Sequence, residues 1–179
     1  MSTFTIHTME TASTETQSLF QNSLNNFGLI PNLHGVLGEE PAALEAYQLM
    51  HALFQKTAFN AEELTVVWQT INVEHDCKYC VPAHSMIADM MNVSPDLTKA
   101  LRNKQAMPTE KLQVLHDTTL SILRDRGHIA SEQLASFYAA GYEKKHILGI
   151  LLGLSQKVMS NYINHIAETP VDDFFKEYV

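Results

Sequence analysis

The sequence contains little cysteine, few basic residues and no long apolar stretch. Two of its 179 residues are Cys, and 12 Lys and Arg stand against 20 Asp and Glu, which gives a formal net charge of −8. An acidic chain without a clustered basic stripe lacks the electrostatic footprint that binds phosphates or anionic lipids. We therefore expect neither nucleic acid nor a membrane surface among its partners.

The apolar runs are also too short for a membrane span. The longest, residues 147–154, has eight residues, whereas a spanning helix needs about 20. Residues 1–17, MSTFTIHTMETASTETQ, have neither a basic start nor an apolar core, so they lack the parts of a secretory signal. With 45% hydrophobic and 18% charged residues, the composition is that of a folded globular protein. We expect a soluble, cytoplasmic protein.

Helical periodicity dominates the chain, and no stretch sustains the two-residue alternation of a strand. The clearest helix has Asn60 as a plausible N-cap and Glu63 three residues on, a variant of the capping box. Its apolar residues follow the i, i+3, i+4, i+7 spacing of one helix face: Leu64, Val67, Trp68 and Ile71. The sequence predicts an all-α helical bundle.

Further helices are predicted over residues 42–57, 81–91 and 109–126, over a segment capped by Ser131, and over residues 143–166. The last is the longest, and we expect five of its residues to face inward: Ile147, Ile150, Leu151, Leu154 and Val158. Residues 1–17 are rich in Ser and Thr without a sustained period, which predicts a flexible N-terminal arm. Residues 18–179 are predicted to form one domain.

Both cysteines lie in one Cys77-Lys78-Tyr79-Cys80 unit. A disulfide stabilises a protein mainly by closing a long loop in the unfolded chain. A bridge between residues three apart closes almost no loop, so stabilisation is a poor explanation for this pair. Reactivity and metal binding remain as explanations.

The residues around this unit favour redox chemistry. Pro82 lacks an N–H and belongs in the first turn of a helix, which places the helix start near Tyr79 or Cys80. There, free N–H groups and the helix dipole favour a thiolate at Cys80. His84 follows one turn later on the same face, close enough to exchange a proton, and Cys77 can fold back to form a disulfide.

A metal site is the first alternative. Zinc in closed sites takes four ligands, and the chain has no second CxxC, so His75, His84 or a partner subunit would have to complete the set. Inert thiols are the second alternative. A c-type haem attachment needs His directly after the second Cys, where Val81 stands, and is excluded. We predict no metal and no cofactor.

The pattern C-x-x-C-x-x-x-H, with Glu74 three residues before it, resembles the alkylhydroperoxidase D-like branch of the carboxymuconolactone decarboxylase superfamily. Further matches are Gly127-His128, Ala140-Gly141-Tyr142 and the segment SNYINHI at residues 160–166. The resemblance covers about residues 27–175. It implies an all-α fold and a homotrimer or homohexamer.

The resemblance also implies thiol peroxidase chemistry on hydrogen peroxide or an alkyl hydroperoxide. Cys80 would attack the hydroperoxide oxygen and become a sulfenic acid, and Cys77 would condense with it to a disulfide. His84 would work in a proton relay with a glutamate. A thiol or dithiol reductant would then restore the dithiol.

Two positions depart from the family pattern. Founding members carry the relay glutamate about three helical turns upstream of the first cysteine, where this chain has Thr65. Glu74, one turn before the first cysteine, is the substitute that we predict, and Glu62 and Glu63 are less well placed. The founding member has His before its second cysteine, where this chain has Tyr79; we expect Tyr79 to bind substrate or support the site.

Two other functions stay open on this scaffold. One is a non-redox protein, either stabilised by metal or a binding module, and the other is lactone decarboxylation, which has no need of a dithiol. Three methionines beside the motif either fill gaps in the core or shape an apolar pocket for an organic hydroperoxide: Met86, Met90 and Met91. The redox hypothesis requires two sulfurs that face each other and are open to solvent.

Overall fold

The computed structural model describes residues 4–179. The α-helices of this part of the chain are α1 (Thr14–Phe27), α2 (Asn32–Leu37), α3 (Pro41–Phe54), α4 (Ala61–Glu74), α5 (Cys80–Met90), α6 (Pro95–Arg102), α7 (Glu110–Arg124), α8 (Ser131–Ala139) and α9 (Lys144–Ala167), and a 3-10 helix covers Asp173–Tyr178. These residues form no strand, so the all-α fold class is confirmed. None of these helices combines the length and the apolar character that a membrane crossing requires.

Helix α4 lies at the centre of the bundle, in contact with α5, α6, α7 and α9. Its residues Val66, Val67 and Ile71 are completely buried. The capping box predicted at its start is present: the Asn60 side chain accepts the Glu63 N–H at 3.0 Å, and the Glu63 carboxylate accepts the Asn60 N–H at 3.0 Å. Since α4 contacts four other helices, its C-terminal end holds the loop that carries the cysteines in a fixed position.

That loop, residues 75–79, reverses the chain between α4 and α5. Asp76 adopts a φ of 51°, in the left-handed region. The N–H groups of Asp76 and Cys77 bond back to the carbonyls of Val73 and Asn72 at 3.2 and 3.0 Å. This is the hydrogen-bond pattern of a Schellman motif. It places Cys77 against the start of α5.

The interior contains two apolar clusters. One is built around α4 and includes Phe54, Trp68 and Phe137. The other lies between α1, α2, α3, the start of α5 and the C-terminal segment, and it includes Phe20, Leu44 and both cysteines. The CxxC unit is therefore part of the packed interior and not of a surface loop.

The described part of the arm predicted over residues 1–17 packs against α2. The His7 N–H bonds to the Gly35 carbonyl at 3.0 Å, and the Thr16 hydroxyl donates to the Gly38 carbonyl at 3.0 Å. A Cβ at Gly35 would lie 2.6 Å from Ile6, so a glycine is needed for this close approach. From Phe4 onward the segment belongs to the fold, and residues 1–3 lie outside the described residues.

The inward face of α9 differs from the prediction. Ile150 is completely buried, but Leu151 is 39% exposed. In the second half of the helix the buried side chains, apart from Ala167, are polar: Gln156, Lys157, Ser160, Asn161 and Asn164. This half of α9 packs against the apolar cluster that contains the cysteines, and Ser160 and Asn164 contact the Cys80 sulfur there.

Candidate active site

The two cysteine sulfurs face each other. Their Sγ atoms lie 3.0 Å apart without a bond between them, and the Cys80 N–H donates to the Cys77 Sγ at 3.3 Å. Cys80 is the first residue of α5, and Pro82 lies in its first turn, as predicted. The sulfurs therefore meet at the positive end of a helix dipole.

Helix α9 supplies the opposite wall of this site. The Asn164 side-chain amide donates to the Cys80 Sγ at 3.2 Å, and the Ser160 hydroxyl oxygen lies 3.9 Å from the same sulfur. Lys157, Ser160 and Asn164 are spaced by three and four residues, which puts them on one helix face. An N–H donor directed at a sulfur favours its anionic form.

Lys157 and His84 form a buried pair beside the thiols. The Lys157 side chain is completely buried, and its Nζ lies 2.9 Å from Nε2 of His84. An ammonium group can only donate, so Nε2 accepts and the imidazole proton resides on Nδ1. That Nδ1 is buried and has no hydrogen-bond partner among the described residues. Burial first, and then the charges of Lys157 and His51, hold the pKa of His84 well below its usual value, so the ring is neutral.

The two thiols differ in their tendency to ionise. Burial opposes ionisation of Cys80, but the hydrogen bond from Cys77, the charge of Lys157 and the amides of Asn164 and Asn161 outweigh it and lower its pKa to about 5. The pKa of Cys77 is raised, first by the same hydrogen bond and then by burial. At neutral pH the pair therefore holds one proton, on Cys77.

A chain of buried amides fixes the loop to both neighbouring helices. The Asn161 amide donates to the Asn72 side-chain oxygen at 3.0 Å, and the Asn72 amide donates to Gln69 at 2.9 Å. His75 donates from Nδ1 to the Asn161 side-chain oxygen at 2.8 Å. The Asn72 amide also lies 3.4 Å from the Cys80 carbonyl. The cysteine loop is thus tied to α4 and α9 at once.

Tyr79 connects the start of α5 to two distant segments. Its hydroxyl donates to the Asp172 carboxylate at 2.5 Å and accepts the Leu33 N–H at 3.2 Å. Burial, and then the charge of Asp172, raise the pKa of Tyr79, so the phenol keeps its proton. These contacts hold the start of α5 against α2 and the C-terminal segment.

The structure does not bring Glu74 to the thiols. Both of its carboxylate oxygens accept hydrogen bonds from Arg124, at 2.7 and 2.9 Å, and this interaction lowers the pKa of Glu74. Glu63 is used by the capping box and by an ion pair with Lys111 at 2.9 Å. Beside His84, where the relay carboxylate is expected, the structure has Lys157.

A cavity of about 690 Å³ borders the site. Its lining contains no Asp, Glu, Lys or Arg side chain. Apolar side chains from α1, α5 and the C-terminal segment form much of the wall, among them Phe27, Met86, Met90, Phe174 and Phe175. His84, Tyr47 and Tyr79 also line the cavity, so it reaches the residues that surround the thiols.

Two further histidines in the cavity wall are uncharged at neutral pH. Burial, and then the charge of His51, lower the pKa of His34 to about 3. Burial, and then the charge of Lys157, lower the pKa of His51 to about 4. The cavity is therefore electrically neutral near pH 7.

The cysteines themselves are closed off from solvent. Cys77 is 0% exposed and Cys80 is 1% exposed, and neither lines the cavity. The solvent access that the redox hypothesis requires is not met in this conformation, although the sulfurs do face each other. Any reagent that reaches Cys80 therefore has to pass the side chains that surround it.

The residues that a metal site would require are used in other ways. His75 donates to Asn161, and His84 accepts from Lys157. Across residues 4–179, no group of three or more His, Cys, Asp and Glu side chains is placed to hold a metal ion.

Comparisons with known proteins agree on the fold. No protein-family model and no curated protein matches the sequence. A solved structure described as an alkylhydroperoxidase AhpD core, an uncharacterized peroxidase-related protein from Ralstonia eutropha JMP134, superposes with a TM-score of 0.84 and 15% identity over 97% of this chain and 94% of that one. An uncharacterized peroxidase-related protein from Silicibacter sp. TM1040 gives 0.80 and 18% over the same shares. The chain has the alkylhydroperoxidase D-like fold.

The alkylhydroperoxidase D-like fold also occurs with another activity. A cysteine-to-alanine variant of the debrominase Bmp8, solved with 2,3,4-tribromopyrrole, has a TM-score of 0.77 and 13% identity over 99% of this chain and 96% of that one. At these identities the likeness concerns the fold alone. The activity of this chain has to be argued from its own site.

Sequence reasoning did not find Lys157, Asn164 or Tyr47. A signal was present in α9, since polar residues recur at positions 156, 157, 160, 161 and 164 of a helix that is otherwise largely apolar. Polar side chains at helical spacing normally indicate the face that meets solvent. Here they indicate a buried site.

Proposed function

We propose that this protein is a dithiol oxidoreductase that reduces a hydroperoxide through a Cys77–Cys80 dithiol/disulfide cycle. The observation that carries the proposal is the pair of facing sulfurs, 3.0 Å apart, of which one ionises easily and the other keeps its proton. The likeness in fold to peroxidase-related proteins supports it.

The proposed cycle begins with the Cys80 thiolate. It attacks the terminal oxygen of the hydroperoxide, so that an S–O bond forms, the O–O bond breaks and the departing alkoxide takes up a proton. Cys77 then attacks the sulfenic acid at Cys80, an S–S bond forms and water leaves. An external thiol or dithiol supplies two electrons and two protons to reopen the disulfide by exchange.

The cavity supports an organic hydroperoxide as the substrate. A volume of about 690 Å³ is far larger than hydrogen peroxide needs, and it falls in the range of about 300–1,000 Å³ that small-molecule sites occupy. Its wall is largely apolar and uncharged, which favours a neutral substrate with an apolar body.

The test couples hydroperoxide consumption to a thiol reductant. We expect the wild type to consume cumene hydroperoxide and Cys80→Ser to fall to the rate of the reductant alone. Cys77→Ser is the matched control, because it keeps the nucleophile: it should react once and accumulate a sulfenic acid that dimedone traps. Unchanged consumption by Cys80→Ser would refute the proposal.

A second candidate is reductive dehalogenation of an apolar aromatic compound. The aromatic side chains in the cavity wall favour it, and so does the halopyrrole bound by the debrominase of the same fold. The electrons balance, because two thiols and one carbon–halogen bond give a carbon–hydrogen bond, a disulfide, a halide ion and a proton. The reduced protein incubated with 2,3,4-tribromopyrrole should release one bromide per disulfide formed if this candidate is correct, and none if the protein acts on hydroperoxides alone.

We also propose that the protein self-associates. Support comes from large apolar side chains exposed on α9, namely Leu148, Tyr162 and Ile166. Exposed apolar side chains on one helix are typical of a contact surface. Light scattering after size exclusion should give a mass of three or six chains; a mass of one chain would contradict the proposal.

A further inference from the structure

We propose that Lys157 is the counter-cation of the Cys80 thiolate and, through His84, the source of the proton that the leaving group takes up. The proposal rests on the dithiol chemistry proposed above. In this proposal a buried cation takes the position beside His84 that the family resemblance assigns to a glutamate. Lys157 acts through its charge and through His84, so it is a positioning residue.

The first argument is the burial of Lys157. Its side chain is completely inaccessible to solvent, and an ammonium group in the interior is strongly unfavourable without a compensating anion. None of the ion pairs found among residues 4–179 includes Lys157. Its hydrogen-bonding neighbour is the neutral ring of His84, at 2.9 Å. The negative charge must come from another group nearby.

The second argument identifies that group. The titratable side chains around the ammonium come from α3, from α5 and from the loop before α5: Tyr47, His51, Cys77, Cys80 and His84. Burial raises the pKa of Tyr47, and the pKa of Cys77 is also raised, so both keep their protons near pH 7. A histidine cannot be an anion. Cys80 is the group of this set that supplies a negative charge, and its Sγ lies against the α9 face that carries Lys157, 3.2 Å from the Asn164 amide and 3.9 Å from the Ser160 hydroxyl.

Asp172 does not compete for this role. Its carboxylate accepts hydrogen bonds from the Tyr79 hydroxyl at 2.5 Å and from the Asn32 N–H at 3.0 Å. The carboxylate is therefore occupied by the contacts that hold the C-terminal segment.

The third argument is the proton on His84. Because Lys157 donates to Nε2, the ring carries its proton on Nδ1, which has no hydrogen-bond partner in the part of the chain that the structure describes. His84 also lines the cavity. A hydroperoxide bound there would find in this N–H a donor for its leaving oxygen.

The charges in the site then balance through the reaction. The thiolate becomes a neutral sulfenic acid when the S–O bond forms and the O–O bond breaks. The alkoxide takes the proton from Nδ1 of His84, and Nε2 takes one from the Lys157 ammonium, which becomes a neutral amine. Anion and cation disappear in the same step, so no unpaired charge is left in the interior.

The test measures the Cys80 thiolate by its absorbance as a function of pH, which needs no reagent to reach the buried sulfur, and by the pH dependence of its alkylation with iodoacetamide. We expect a midpoint near 5 in the wild type. In Lys157→Met, which fills the same space without charge, the midpoint should rise by at least one unit, so that the thiolate fraction near about pH 6 falls from roughly nine-tenths to about one half or less. Lys157→Arg, which keeps the charge, should restore the low midpoint.

Lys145→Met is the matched control. Lys145 lies on the same helix, but its side chain is exposed and paired with Glu143 at 2.8 Å, so its loss removes the same charge from the chain without touching the site. Its midpoint should equal that of the wild type. If Lys157→Met does not fold, Lys157→Gln takes its place. A midpoint near 5 in either folded variant would overturn the proposal.

The readout separates this proposal from the proposed function. Alkylation requires no peroxidase activity, so a raised midpoint in Lys157→Met together with no hydroperoxide consumption by the wild type supports the role of Lys157 as counter-cation and refutes the substrate. A wild-type midpoint in the range of a free thiol, about 8.5, refutes the role of Lys157 whatever the activity.

Discussion

Each half of α9 has a buried face, but the two faces make opposite kinds of contact. In the first half, Gly149 and Gly153 let the helix approach aromatic rings so closely that an added Cβ would lie 2.8 Å from Phe59 or Phe54. In the second half, the buried residues apart from Ala167 are amides, a hydroxyl and Lys157. One half of the helix stabilises the bundle, and the other half surrounds the thiols.

This difference indicates where the chain is optimised for stability and where it is not. Apolar close packing gains free energy with each buried group. A buried polar network at best offsets the cost of its own desolvation. Buried polar residues that interrupt the apolar pattern of a helix are therefore expected at functional sites.

Phe54→Ala should have the largest effect on stability. Phe54 is completely buried and touches Gly153 on α9 and the ring of Trp68. Loss of a buried Phe side chain costs about 3–5 kcal/mol of unfolding free energy, which denaturant titration measures. Leu53→Ala, at an exposed neighbouring position, is the control. The alkylation midpoint of Cys80 should not move, and a shift in the folded variant would contradict the division of α9 into two halves.

Gly153→Ala, in the first half of α9, should lower the unfolding free energy less than Phe54→Ala does. Its Cβ would lie 2.8 Å from Phe54 and 3.0 Å from Val67, so the neighbours must move. Overpacking of this kind costs about 1–3 kcal/mol. Ser155→Ala, on the exposed side of the helix and outside the proposed contact surface, should change stability far less. Equal unfolding free energies for the two variants would show that the close approach of α9 is unimportant.

Much of the apolar framework outside α9 could be predicted, because its signals are local. The Asn60–Glu63 capping box, the apolar stripe of α4 and the place of Pro82 at a helix start follow from residues within one or two turns of each other. Each is found in the structure. That the two sulfurs face each other can also be predicted from local sequence, because a single turn joins the two cysteines.

The polar half could not be predicted in this way. Lys157 reaches His84 across 73 positions of sequence, and a single Lys in a helix normally indicates a solvated face. The position of Glu74 one turn before Cys77 predicts the relay carboxylate, but its place on α4 directs its side chain to Arg124 on α7. Charge balance inside a packed site depends on the tertiary structure, which helical periodicity does not specify.

Asn164→Ala should change reactivity with little change in stability. Its amide donates to the Cys80 sulfur, while its side-chain oxygen is buried without a partner, so the two effects of truncation on stability oppose each other. The Cys80 pKa lies below its unfolded value, and its thiolate is lost as the pH falls through about 5. Without the amide this loss should begin at a higher pH. Ser155→Ala, on the exposed side of α9, should titrate like the wild type, and an unchanged midpoint in Asn164→Ala would contradict the role of the amide.

Glu74→Gln should have the smallest effect of the series, and it distinguishes the structure from the family pattern. The carboxylate pairs with the exposed Arg124, and exposed pairs contribute little to stability. If Glu74 belonged to the proton relay, its loss would raise the alkylation midpoint of Cys80 and slow hydroperoxide turnover. Because its oxygens bond to Arg124 and Lys157 occupies the place beside His84, we expect an unchanged midpoint, an unchanged rate and an unchanged melting temperature. A raised midpoint would show that the Glu74 carboxylate takes part in the proton relay. Lys157 beside His84 would then have only a structural role.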